Sequence, residues 1–182
     1  VLNRLNIAII KKETAYQAIE FAHEAIELLG GNGYIEDFVT PRLLRDAQVL
    51  SVWEGTANIL GLEVVRLFNR FNGADLYRKQ MEKRLNKLTN SPFYEQIKQI
   101  YEQLTKQIEC FMNLSYNEQT FYSKQLSKQL NSFYETVVAV EWAERFGKKY
   151  EALAEIYIES EWNLRQIGDE MITVKYFGLL TK

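Results

Sequence analysis

Between Ile26 and Leu60 the chain gathers side chains that could do chemistry. Glu54 is followed at once by Gly55, Thr56 and, two residues on, Asn58. A positioned carboxylate can take a proton as a general base. A glutamate in water is a weak base, with a pKa of about 4.3, and burying a carboxylate raises that value toward working pH. A glycine beside it lets the backbone come close to a ligand. Hydroxyl and amide groups at a helix start suit a phosphate, because the first N–H groups there are free. Each residue also has a plainer reading. Ser51-x-x-Glu54 has the spacing of a capping box, and Thr56 fits an N-cap. Gly30-Gly31 fits a helix C-cap, with Glu27 solvated on the last turn.

The elements that would hold these residues are helices. Ala15, Ala18, Ile19, Ala22, Ala25, Ile26 and Leu29 recur at helical spacing, with Glu20, Glu24 and Glu27 between them. A helix is expected from near Leu2 to Leu29, ended by Gly30-Gly31. Asn32-Gly33 reads as a turn. Pro41 opens a short helix through Ala47, with Arg42, Arg45 and Asp46 as ion pairs that hold it. Gln48–Trp53 reads as a buried apolar connector. A second long helix is expected from Thr56 to Phe71, with Ile59, Leu60, Val64, Leu67, Phe68 and Phe71 as its core stripe. Asn72-Gly73 marks a domain boundary.

Beyond it the chain reads as four or five more helices. Ser91-Pro92 starts one, and Ser115-x-x-Glu118 has capping-box spacing before another. Gly147 and Gly168 fit helix breaks. Phe93, Tyr101, Phe111, Phe133, Tyr134 and Trp142 are expected in a bundle core. No repeat and no strand pattern is found, so the fold class is all-α.

Composition bounds the function. The 182 residues can bury a real core. A net charge of −2 supplies no global field for nucleic acid or anionic lipid. Arg78, Lys79, Lys83, Arg84 and Lys87 crowd one helix, which reads as a solvated face. The lone Cys110 cannot form an internal disulfide and points to a reducing compartment. His23, the single histidine, has no cysteine near it and makes no metal site. No apolar run reaches membrane-spanning length.

The pieces of Ile26–Leu60 also stand in a recognisable order. Leu-Gly-Gly-Asn-Gly-Tyr comes first, then Arg-x-x-Arg-Asp, then an aromatic residue and Glu-Gly-Thr. This resembles the acyl-CoA dehydrogenases, over Ala15–Arg70. The resemblance implies a flavoprotein that makes an α,β-double bond in an acyl-CoA thioester. It implies that Glu54 is the base, and that Gly55 lets the backbone approach the thioester. It implies that Glu27, Gly30, Gly31, Thr56 and Asn58 line the FAD site, with Glu27 where the family usually carries glutamine. Helix ends of this kind often serve the neighbouring subunit's flavin, so a homo-oligomer is implied. An electron-transfer flavoprotein is the implied acceptor, in the cytoplasm, or in the mitochondrial matrix if the source is eukaryotic.

Trp53 stands where the family usually has Tyr or Phe, which is closer to the AidB-like branch. That branch carries a helical extension, as does the very-long-chain branch. Residues 1–72 then form part of the C-terminal helical domain, and residues 73–182 the extension. The chain reads as an excised C-terminal piece, inactive alone because the family's other domains are absent. The alternative reading is an AidB-like flavoprotein whose extension binds DNA or mediates assembly.

Overall fold

The structure is a computed structural model that describes residues 1–163 and 168–181. Its elements are α1 (Leu2–Leu29), α2 (Gly31–Tyr34), α3 (Thr40–Leu50), α4 (Ala57–Phe71) and α5 (Gly73–Leu85), then α6 (Tyr94–Met112), α7 (Tyr116–Phe146), α8 (Lys148–Trp162), α9 (Ile172–Lys175) and α10 (Phe177–Leu180). No strand occurs among the described residues, and the fold is all-α as expected. Two compact units result. The first is Val1–Ala74 with Phe111–Lys128, and the second is Asp75–Cys110 with Gln129–Lys182.

In the first unit, α1 packs on α3 and α4. Its buried face is Leu5, Ala8, Ile9 and Ala15, together with the paired Lys12 and Glu13. Val64, Val65, Leu67 and Phe68 are the buried face of α4. Phe68 meets Phe111 edge-on, with ring centroids 6.1 Å apart. A Cβ on Gly61 would sit 2.6 Å from the Ser123 hydroxyl oxygen, so a larger residue here would displace that side chain. The Asn69 amide donates to the Gln119 side-chain oxygen at 2.6 Å, and the Gln119 amide donates to the Phe111 carbonyl at 3.0 Å. Asn72 ends α4 in the left-handed conformation, which asparagine adopts more readily than most residues.

The second unit has a dense core of its own. Tyr77, Met81, Ile97, Ile108, Leu130, Phe133, Val137 and Ile158 are all buried. The Tyr77 hydroxyl donates to the Leu130 carbonyl at 2.6 Å, and Tyr101 stacks on Phe133 at 5.5 Å. The Trp162 indole N–H donates to the Thr136 hydroxyl at 2.8 Å. Of the basic residues on α5, Arg84 makes a two-pronged pair with Glu141 at 2.8 and 2.6 Å, and Arg78 pairs with Asp75 and Glu109.

Several expectations are corrected. Gln48–Trp53 is not a buried connector. Its first half completes α3, and Val49, Leu50, Val52 and Trp53 are exposed, because Ala47 is the last buried side chain of α3. On α4, Ile59 and Phe71 lie outside the covered stripe. On α1 the covered stripe stops at Ala15, and the apolar residues beyond it are half-buried or exposed. Trp142 is 51% exposed, in a surface cluster with Phe146 and Tyr150. Helix α6 begins at Tyr94, after a turn through Ser91-Pro92. The Ser115 capping box forms as expected. Ser115 donates its N–H and hydroxyl to the Glu118 carboxylate at 2.9 and 2.6 Å, and the Glu118 N–H donates back to the Ser115 hydroxyl oxygen.

Candidate functional site

The site is built on the turn between α3 and α4. Helix α3 unwinds through Val52 and Trp53, whose N–H groups both donate to the Val49 carbonyl, at 3.0 and 2.9 Å. Glu54 then takes φ 59° and Gly55 φ 107° before Thr56 turns extended at the N-cap of α4. Positive φ is ordinary for glycine but uncommon for glutamate, and such a residue costs of order 1–3 kcal/mol unless its surroundings fix it. Strain of that kind collects at functional sites. No capping box forms here. The Ser51 hydroxyl donates to the Gln48 carbonyl at 2.9 Å instead of serving Glu54, and Thr56 makes no side-chain cap bond.

Glu54, Thr56 and Asn58 are exposed, and Gly55 is partly covered. Glu54 lies on a cleft of about 260 Å³ lined by Lys11, Thr14, Ala15, Leu50 and Trp53. The surroundings that fix the turn come from α1. The Lys11 ammonium donates to the Trp53 carbonyl at 2.7 Å and to the Gly55 carbonyl at 3.1 Å. Sequence reasoning passed over Lys11, since nothing in Ile-Ile-Lys-Lys-Glu marks one lysine as a backbone clamp.

The second group of expected site residues lies at the other end of α1. Gly30 ends the helix with φ 58°, its N–H on the Glu27 carbonyl at 3.1 Å, and Gly31 opens α2. Glu27 is exposed, with the His23 imidazole 3.5 Å from its carboxylate. No heavy atom beyond the chain neighbours lies within 4 Å of a Cβ built on Gly30 or Gly31. The glycine that packing demands is Gly33, where a Cβ would lie 2.4 Å from the Ile26 carbonyl oxygen. Just beyond, Arg45 makes a two-pronged pair with Glu36 at 2.8 and 3.0 Å, which holds the Glu36 carboxyl below its usual range, and Arg42 pairs with Asp46 at 3.6 Å. Lys11 and Gly30 are nineteen residues apart on one helix, or about 28 Å at its ordinary rise. The structure therefore brings Glu54, Gly55, Thr56 and Asn58 together and leaves Glu27, Gly30 and Gly31 far from them.

The donor set at the start of α4 suits a phosphate. Thr56 leaves its hydroxyl free of a capping bond, and the exposed Asn58 amide stands on the first turn. Glu27 suits a hydroxyl-bearing ribose rather than a pyrophosphate. Among the described residues no group of three His, Cys, Asp or Glu side chains could hold a metal, and no helix is long and apolar enough to cross a membrane.

Residues 2–67 match the family model of the acyl-CoA dehydrogenase C-terminal domain. This segment is similar to the C-terminal domain of the acyl-CoA dehydrogenases. Acyl-CoA dehydrogenase family member 11 of Caenorhabditis elegans is 39% identical over 108 residues, covering 58% of this chain and 18% of that protein. Putative acyl-CoA dehydrogenase AidB of Escherichia coli is 34% identical over 102 residues, covering 48% of this chain and 19% of its own length. The mitochondrial isovaleryl-CoA dehydrogenase of Arabidopsis thaliana is 44% identical, over 52 residues and 29% of this chain. Among solved structures, the Bd2924 apo-form superposes with a TM-score of 0.57 at 27% identity, covering 87% of this chain and 25% of that one. This chain thus spans about a fifth of the length of the first two relatives. Likeness to family member 11 and to Bd2924 reaches past residue 67, into the helices that follow the family segment.

Proposed function

We propose that this chain is the C-terminal part of an FAD-dependent acyl-CoA dehydrogenase and that Glu54 is its catalytic base. The observation that carries the reading is the strained Glu54-Gly55 turn, fixed at a cleft within the segment that matches the family. Glu54 removes a proton from the acyl Cα. The Glu54 N–H stabilises the thioester oxygen as charge develops there, and Gly55 keeps the adjoining backbone free of side-chain bulk. A bound flavin supplies the chemistry of accepting the Cβ hydride. Thr56 and Asn58 hold the cofactor's phosphate or adenine portion from the start of α4. Glu27, Gly30 and Gly31, about 28 Å away along α1, serve the flavin of a second copy, so the enzyme is a homo-oligomer. Electrons leave to an electron-transfer flavoprotein. The enzyme works in the cytoplasm, or in the matrix of a mitochondrion. Residues 1–72 are the dehydrogenase part and residues 73–182 the extension. The likeness to AidB supports a branch in which such an extension follows. Alone, the chain has no acyl-CoA dehydrogenase activity.

The test is Glu54→Gln in the full-length flavoprotein. Gln keeps the shape and cannot take the proton. Loss of a positioned base costs on the order of 10²–10⁴ in rate, so bleaching of the flavin by acyl-CoA should slow by at least that much while FAD stays bound. Bleaching at the unmodified rate would overturn the assignment. Retardation of duplex DNA with a steep salt dependence, without acyl-CoA reduction, would favour the DNA-binding reading of the extension.

A further inference from the structure

The Lys11 side chain ties α1 to the turn carrying Glu54, through carbonyls 42 and 44 residues further along the chain. The two carbonyls belong to the residues on either side of Glu54. Two carbonyl oxygens facing one point repel each other, and an ammonium with three donors removes that repulsion by bonding both. The Trp53 carbonyl lies in the peptide plane before Glu54 and the Gly55 carbonyl in the plane after Gly55, so their convergence depends on the unusual backbone of both residues, φ 59° at Glu54 and φ 107° at Gly55. Lys11 therefore holds the backbone of Glu54 in a conformation that glutamate seldom adopts. It does so from the backbone side, and the Glu54 side chain stays exposed on the cleft. The stem of Lys11 and Leu50 form part of the same cleft wall.

We propose that Lys11 is a positioning residue for the base: its ammonium clamps the Trp53 and Gly55 carbonyls and so fixes where Glu54 stands. The inference rests on Glu54 being the base. It adds a residue that no motif marks and whose ammonium bonds the backbone on either side of the base. Without the clamp the Glu54 peptide relaxes toward negative φ, and its carboxylate and N–H leave their working places together. A displacement of that order affects the rate of the chemical step more than substrate affinity, because the near-attack geometry is what is lost.

The experiment uses the full-length flavoprotein with Lys11→Met, which keeps the stem and removes the donors. Lys11→Arg and Lys11→Gln restore charge with donors and donors alone. Arg4→Met is a control, since it removes another α1 ion pair, to Glu63, away from the turn. Single-turnover bleaching at saturating acyl-CoA, acyl-CoA affinity, FAD content and melting temperature are measured. Lys11→Met should lower the limiting rate about 10- to 100-fold with affinity and FAD content little changed. Lys11→Arg should recover most of the loss and Lys11→Gln part of it, and Arg4→Met should match the unmodified rate. Unmodified rates in Lys11→Met, with Glu54→Gln inactive, would overturn the clamp and leave the base assignment standing. Unmodified rates in Glu54→Gln would overturn both. If Lys11→Met does not fold, the comparison passes to Lys11→Gln. A Gln variant as fast as the unmodified enzyme, or an Arg variant no faster than the Gln variant, would sink the proposal.

Discussion

The two units bury their apolar residues to very different degrees. Between Phe21 and Leu60, in the first unit, the buried side chains are Thr40, Pro41 and Ala47. Phe21, Leu28, Tyr34, Val39, Val52, Trp53 and Ile59 are exposed over the same stretch. The second unit encloses Tyr77, Met81, Phe133 and Ile158 and pairs its half-buried Arg84 with Glu141. Large apolar side chains exposed in this number along one stretch are common where something binds. The second unit is organised like a domain that stabilises itself, and the first like a face made to be covered. The poorly covered region is also the one that carries Glu54 and the family match. What makes it a poor independent core is what an interface or an active-site wall requires.

The contrast should be sharpest in alkali, where the largest effect is expected. Burial pushes the Tyr77 hydroxyl well above its ordinary range, and burial with a hydrogen bond to Glu82 pushes Tyr101 up to about 12. Tyr157 is raised too, first by burial and then by its bond to Glu135. All three lie in the second unit. Above the ordinary tyrosine value of about 10 the unfolded chain has lost these protons and the folded chain keeps them. The unfolded state then binds fewer protons, so stability falls as pH rises. Their contribution is fully present below about 10 and is lost as pH passes each raised value. Helical circular dichroism should collapse in that window, together with a late rise in tyrosinate absorbance. Gradual tyrosine ionisation that leaves the helices intact would show that the second unit is looser than its packing implies.

Single-residue truncations come next. Phe133→Ala empties a fully buried site that stacks on Tyr101, and should cost about 3–5 kcal/mol, read as a shift of the denaturant midpoint. A loss below about 1 kcal/mol would contradict the stated core. A smaller change is expected at the start of α7. Ser115→Ala removes both hydroxyl contacts of the capping box and should cost about 1 kcal/mol. Equal stability of Ser115→Ala and the unmodified chain would show that water replaces the cap.

How far the sequence speaks for itself follows the same division. Ser115-x-x-Glu118 was legible because a cap is a local pattern, complete within one turn. The extent of α1 was legible because its apolar period runs unbroken to two glycines. Which residues of α1 are covered was not legible. Ala18, Ile19 and Ala22 follow the same helical period as Leu5, Ala8 and Ile9, and only tertiary neighbours distinguish them. Trp53 and Trp142 fail as core residues for the same reason, since hydrophobicity says what could be buried and not what is. Glu54 could be singled out by its neighbours in the chain. Lys11 could not, because its partners are backbone carbonyls, and every residue has one.

The smallest effect on stability is also the one that best tests what the exposed face is for. Phe21 is 74% exposed and Leu28 86%, both on the outer half of α1. Replacing both with glutamine leaves two residues that a helix tolerates well. Removing side chains already in water should change folding stability by no more than about 0.5 kcal/mol each. Those side chains are nevertheless part of the apolar surface that we expect to drive self-association of the isolated chain. Each association contact they lose gives back apolar area to water at about 25 cal/mol per Å². Analytical ultracentrifugation across a concentration series should therefore show the unmodified chain associating and the double variant shifted toward monomer, with the two melting alike when dilute. A double variant that melts several degrees lower would mean that Phe21 and Leu28 stabilise the chain itself, and the contrast between the units would fail. An unmodified chain that stays monomeric at high concentration would mean that the face is not self-complementary, and its cover would have to come from a different partner surface.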